Sequence, residues 1–195
     1  MKINLHVRPL ALGIAFVLGA VTLTPMAANA DPMPMAKSVM VGGAAMYPSK
    51  NIIQNAVNSK DHTTLVAAVK AGGLVDTLSG TGPFTVFAPT NEAFAALPAG
   101  TVDTLLKPEN KAALVKILTY HVVAGRLTAQ DLAAKAAAGN GKAQLKTVQG
   151  EELTVSKDGE RWAVTDAKGN VAHVTIGDVI QSNGVIHVVD KVLMP

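Results

Sequence analysis

Beyond residue 141 the chain is cut into short runs by residues that favour tight turns. Asp158-Gly159, Lys168-Gly169-Asn170 and Asn183-Gly184 each supply a position that tolerates positive φ. Between them lie Gln144–Val148, Glu152–Ser156, Arg161–Thr165, Val171–Ile176 and Val185–Val192, all rich in β-branched or other apolar residues. That pattern predicts five strands joined mostly by hairpins, with Asn183-Gly184 the strongest turn signal. A chain with such a half must build a largely antiparallel sheet and cover at least one of its faces.

The residues before 141 read differently. Ile52, Ile53, Ala56 and Val57 recur at helical spacing, as do Leu65, Ala68 and Val69 in a helix capped by Asp61 and ended by Gly72-Gly73. Leu74–Leu78 is a further short helix. Phe84–Ala88 is an isolated strand closed by Pro89, after which Thr90 or Asn91 caps a helical turn carrying Phe94. Thr101 starts a short helix, and Pro108 opens the strongest one, whose stripe is Leu114, Ile117 and Leu118. Tyr120–Val123 is expected to leave that helix as a strand. Thr128 and Asp131 form a capping-box pattern at the head of an alanine-rich helix ended by Gly139-Asn140-Gly141. Helices in the first half and strands in the second predict an α+β fold.

Residues 1–30 have the layout of a secretory signal peptide. Lys2 and Arg8 precede the apolar stretch Leu10–Leu23, and Ala28-Asn29-Ala30 resembles a processing site. The apolar stretch is short for a membrane span. The expectation is a secreted or periplasmic protein with no stable membrane span. Loss of the leader takes the formal charge from +3 to +1, so a basic, nucleic-acid-binding surface is not indicated. Residues 31–49, rich in Met, Pro and Gly, read as a flexible arm before a domain over 50–195. Met33, Met35, Met40 and Met46 are soft ligands in principle, but their irregular spacing without histidine argues against a copper site.

Little in the chain points to catalysis. With no cysteine there is no thiolate nucleophile, disulfide or Cys-ligated metal. His62, His121, His173 and His187 make no H-x-H or H-E-x-x-H spacing, and His62 is expected to face solvent. No serine sits in a Gly-x-Ser-x-Gly elbow, and Glu151-Glu152 point to opposite faces of a strand. Gly80-Thr81-Gly82 lacks the phosphate-binding glycine patterns. No catalytic, metal or cofactor residues are therefore assigned. By residue type the candidates for holding a protein partner are Tyr120, His121, Arg126 and Trp162. An apolar core between helices and sheet leaves a lipid or small-molecule carrier as the alternative.

Three segments together resemble the fasciclin-like (FAS1) domain family. They are Thr85-Val-Phe-Ala-Pro-Thr-Asn-Glu-Ala-Phe-Ala-Ala-Leu97, Leu118-Thr-Tyr-His-Val-Val-Ala-Gly125 and Gly184-Val-Ile-His-Val-Val-Asp-Lys-Val-Leu-Met-Pro195. The layout is similar to that of small secreted bacterial single-domain members. The resemblance implies a sandwich- or wedge-like strand core with helices packed along it. It also implies a non-enzymatic role in adhesion or in binding a cell-surface or matrix protein. Thr90, Asn91, Phe94, Gly184, His187 and Asp190 match the motif positions, as do Tyr120 and His121. In animal relatives the Tyr-His region is implicated in integrin binding, while in this chain the pair can equally pin helix to strand. A single copy lacks multivalency and favours a monomer that binds weakly.

Overall fold

The computed structural model describes residues 38–195. The leader and the start of the arm lie outside the described residues. The C-terminal half is the expected run of strands: β5 (Lys142–Lys146), β6 (Glu152–Asp158), β7 (Arg161–Thr165), β8 (Val171–Gln181) and β9 (Gly184–Val189). Each pairs antiparallel with the next. Beyond β9 the sheet takes β3 (Phe84–Pro89) in parallel and then β4 (Val122–Ala124) antiparallel, giving the order β4-β3-β9-β8-β7-β6-β5. β3 and β9 are buried along almost their whole length, as strands covered on both faces must be.

The sheet bends until its two edges meet. β8 carries register irregularities between Val174 and Val179, and Asp178 within it adopts φ +55°. The ends then close through a bridge between Val123 and Thr147 and a 2.7 Å bond from the Val148 N–H to the Val122 carbonyl. Closure leaves little open strand edge. Inside the curl lies one apolar cluster that includes Phe87, Tyr120, Leu132, Leu153, Val155, Val164, Val189 and Leu193. Helix α7 (Ala129–Ala138) contributes Leu132 and Ala136 to it, and the expected Thr128–Asp131 capping box starts that helix.

The other face of β3 and β9 carries Val86, Ala88, Ile186 and Val188 into a second cluster. Over it pack α1 (Ile52–Ala56), α2 (Thr63–Gly72), α3 (Val75–Ser79), α4 (Asn91–Ala95), α5 (Thr101–Leu106) and α6 (Lys111–Tyr120). The alternation of side chains along one strand therefore feeds two separate cores.

Part of the segment expected as a flexible arm is ordered. β1 (Val39–Val41) and β2 (Ala44–Met46) form a hairpin around Gly42 and Gly43, both at positive φ as a two-residue turn requires. Val41 and Met46 are buried in the helix-side core, whereas Met40 is 59% exposed. A Cβ on Gly42 would stand 2.4 Å from Ser59 Oγ, so the turn needs glycine to sit on that loop. Met46 is thus a packing residue, pointing away from Met40; Met33 and Met35 lie outside the described residues.

Candidate functional site

The Tyr-His segment stands where helix α6 passes into β4, and both side chains point inward. Tyr120 is fully buried and His121 is 2% exposed. The Tyr120 hydroxyl accepts from the Ala167 N–H at 2.8 Å and donates to the Glu152 carbonyl at 3.3 Å. Burial raises its pKa, so the hydroxyl stays a donor. His121 donates through Nδ1 to the Ile117 carbonyl at 2.8 Å and accepts at Nε2 from the Leu193 N–H at 3.0 Å. These two partners require a neutral ring with its proton on Nδ1. Burial pushes its pKa down to about 4, in keeping with that state.

The same junction holds the C-terminal tail. Asp166, only 5% exposed, accepts from the Lys168 and Asn170 N–H groups, from Asn170 Nδ2, and from the Met194 N–H at 3.0 Å. His121 and Asp166 therefore fix consecutive tail amides, at Leu193 and Met194. Sequence reasoning missed Asp166. Its only local signal is an Asp before a Lys-Gly-Asn turn, and the tail contact spans 28 residues.

The other motif residues also serve the interior. Thr90 caps α4 by accepting from the Ala93 N–H. Asn91 instead caps the head of α2, accepting from the Thr64 N–H at 3.0 Å while its amide donates to the Lys60 carbonyl. The cap assigned to Asp61 is thus supplied from another element. Phe94 is buried in the helix-side core. A Cβ on Gly184 would lie 2.0 Å from the Phe84 carbonyl oxygen, so glycine permits β3 to pair with β9. Ser182 and Asn183, one position earlier than expected, form the β8–β9 turn. The Asn183 side chain accepts from the Ile52 N–H and donates to the Leu78 and Gly80 carbonyls, tying α1 and α3 to that turn.

His187 donates through Nε2 to the Leu127 carbonyl at 2.8 Å, accepts from the Asp178 N–H and stacks on Phe87. Burial lowers its pKa. His173 lies between Asp158, 3.2 Å from Nε2, and Asp190, 3.5 Å from Nδ1; Asp190 also accepts from the His173 N–H. His62, expected at the surface, is 2% exposed: the hairpin β1–β2 and α2 cover it. Its Nδ1 meets Ser59 Oγ at 2.9 Å, its Nε2 has no hydrogen-bond partner, and burial lowers its pKa. Among the described residues no three His, Asp or Glu side chains are grouped to hold a metal ion, and no helix is long and apolar enough to cross a membrane.

Of the four partner-binding candidates, the structure brings together only Tyr120 and His121, and it buries both. Arg126 is exposed in the loop between β4 and α7, and Trp162 is half-buried on β7 against the sheet-enclosed core. Among the described residues, the large apolar side chains that face solvent are Met40, Tyr47, Val57 and Val148.

Comparison with known proteins gives this arrangement a family. The model of the fasciclin domain matches residues 60–195. The chain belongs to the fasciclin-domain family. Protein sll1483 of Synechocystis sp. is 50% identical over 172 residues, covering 88% of each chain. Cell surface glycolipoprotein MPB83 of Mycobacterium bovis is 32% identical and covers 99% of this chain and 98% of its own. The fold is similar to that of a solved FAS1 domain pair from the insect cell adhesion molecule fasciclin I, with a TM-score of 0.68 and 21% identity over 76% of this chain. This fasciclin domain spans 52% of that pair.

Proposed function

We propose that the protein is an exported, non-enzymatic adhesion or protein-binding module acting at the cell surface, in a matrix or in the envelope. The carrying observation is a division of labour in the side chains. Tyr120, His121, Thr90, Asn91, Phe94, Gly184 and His187 are committed to helix caps, strand approach and interior bonds. Met40 on β1, Tyr47 just after β2 and Val57 just after α1 meanwhile stand exposed at 59%, 46% and 48%. Tyr47 is held there by backbone bonds to Asn55 and carries Lys50 5.3 Å above its ring. Aromatic and methionine side chains rimmed by polar groups are typical anchors of a protein contact. Family relatives named for the cell surface and for cell adhesion support the same reading.

A carrier role is not favoured. Two narrow cavities of the helix-side core measure about 20 and 30 Å³, room for a water molecule each rather than a ligand. Saturable binding of the labelled protein to surface or matrix preparations of its host tests the proposal. The variant Met40→Ser/Tyr47→Ser/Val57→Ser should bind at least about tenfold more weakly. Undiminished binding by that variant would overturn the assignment of the face, and no saturable binding at all would overturn the function.

A further inference from the structure

We propose that the groove between α7 and β5 binds an acidic polysaccharide. The inference is separate from the protein-contact face above and stands on a different part of the molecule. Between Asn110 and Glu152 the chain carries Lys111, Lys116, Arg126, Lys135, Lys142 and Lys146 against three carboxylates, Asp131, Glu151 and Glu152. Asp131 is engaged in the capping box of α7, and Glu152 stands across from Lys146 at the far end of β5, leaving Lys135 and Lys142 as the cations with no carboxylate opposite them in the strand register. Lys116 pairs with Glu151 at 3.4 Å, whereas Lys135, Lys142 and Lys146 form no ion pair with another described residue. The formal charge of the whole chain is only +3, so this is local segregation of charge and not a generally basic surface.

The fold gives those lysines a shape to act on. Along β5, Ala143 and Leu145 turn into the core while Lys142, Gln144 and Lys146 face out. Strand geometry sets the two lysines about 13 Å apart. Lys135 of α7 stands across from them. Together with Lys142, Gln144 and Thr154 it lines a groove of about 610 Å³. A second hollow of about 280 Å³ shares Lys135 and Gln144 and adds Lys146, so the path continues along the strand. Cations alternating with an amide and a hydroxyl match a chain that alternates acid groups with neutral sugar hydroxyls.

Other anionic partners fit less well. A peptide added as a further strand would need the free edge of β5. That edge is occupied at one end by the turn from α7, where the Lys142 N–H donates to the Gly139 carbonyl, and at the other by the Val123–Thr147 bridge. A lipid surface would favour a face with side chains to insert, but the apolar lining of the first hollow consists of Ala138 and Ala143, and Val123, Leu127 and Leu145 of the second pack into or against the enclosed core.

The test measures binding of the purified protein to immobilised polygalacturonate, with neutral dextran, polyglutamate and phosphatidylglycerol vesicles as comparators. Saturable binding to polygalacturonate at about 50 mM salt that fades at about 500 mM is expected, because exposed charges are screened at the higher salt. The variant Lys135→Gln/Lys142→Gln/Lys146→Gln should bind at least about tenfold more weakly, and the charge-matched Lys60→Gln/Lys70→Gln/Lys107→Gln should stay within about twofold. Equal loss in both variants, tighter binding to polyglutamate or to vesicles, or no saturable binding to polygalacturonate would each overturn the proposal. All six lysines are exposed, so both variants are expected to fold, and matching melting temperatures verify it.

Discussion

The two cores of this fasciclin domain share strands β3 and β9 but are finished differently. Tyr120 meets its partners in the sheet-enclosed core, while Asp166 and His121, whose ring also borders a helix-side cavity, lock the tail at Met194 and Leu193. The helix-side core contains two small cavities and the only buried side-chain atom left unpartnered among the described residues, Nε2 of His62. A closed sheet fixes its interior through register, so one side chain out of place disturbs the whole ladder. Of the motif residues, Tyr120 and His121 stand at the seam between α6, β4 and the C-terminal tail, whereas Thr90, Asn91 and Phe94 serve the helix side and Gly184 the pairing of β3 with β9.

The contrast can be broken most severely at Gly184. A Gly184→Val substitution sets a side chain against the β3 backbone and should cost more than about 4 kcal/mol, leaving the chain unfolded by circular dichroism. Acid should act next. His121 has a folded-state pKa depressed below its ordinary 6.5 to about 4 by burial, so the unfolded chain binds the proton more readily. The stability tied to the neutral ring is complete above about pH 6.5 and is lost as pH falls towards 4, by roughly 3 kcal/mol. His62 and His187 shift in the same direction. Urea midpoints across that range measure the loss, and His121→Gln should flatten the slope while lowering stability at pH 7.

Smaller changes sharpen the comparison. Tyr120→Phe keeps the ring but strips the Ala167 N–H of its acceptor, a cost of about 1–3 kcal/mol by denaturant unfolding. Adding one methylene should have opposite signs in the two cores. Val86→Ile extends into both cavities and should be neutral or stabilise by up to about 1 kcal/mol, whereas Val164→Ile overpacks the enclosed core and should destabilise by about 1–3 kcal/mol. Melting temperatures of the pair distinguish the cores directly.

Much of the enclosed core was legible in the chain because its determinants are local. Strand β7 falls on the expected residues, and the Thr128–Asp131 box involves partners three residues apart. The helix-side features depend on partners far away. Asn91 caps a helix begun 28 residues earlier, and Asn183 reaches Ile52 across 131 residues. The Asn183-Gly184 pair carries a hairpin signature, yet its glycine answers to the neighbouring β3 backbone and its asparagine to two helices. His62 and the β1–β2 hairpin depart from expectation for a related reason: Val41 and Met46 of the hairpin border one small cavity with His62, a juxtaposition that exists only in the folded chain. The fate of Tyr120 and His121 was undecided for the same cause, since Ala167 and Leu193 are their partners only in the folded chain.

The central claim is that the Tyr-His pair holds the fold together from within. Ring-nitrogen NMR of His121 tests it most directly. A neutral ring protonated at Nδ1 at pH 7, titrating only near pH 4, is the expected result. A ring that titrates near its ordinary 6.5, with its proton exchanging freely with solvent, would place His121 at the surface and rule out its role within the fold.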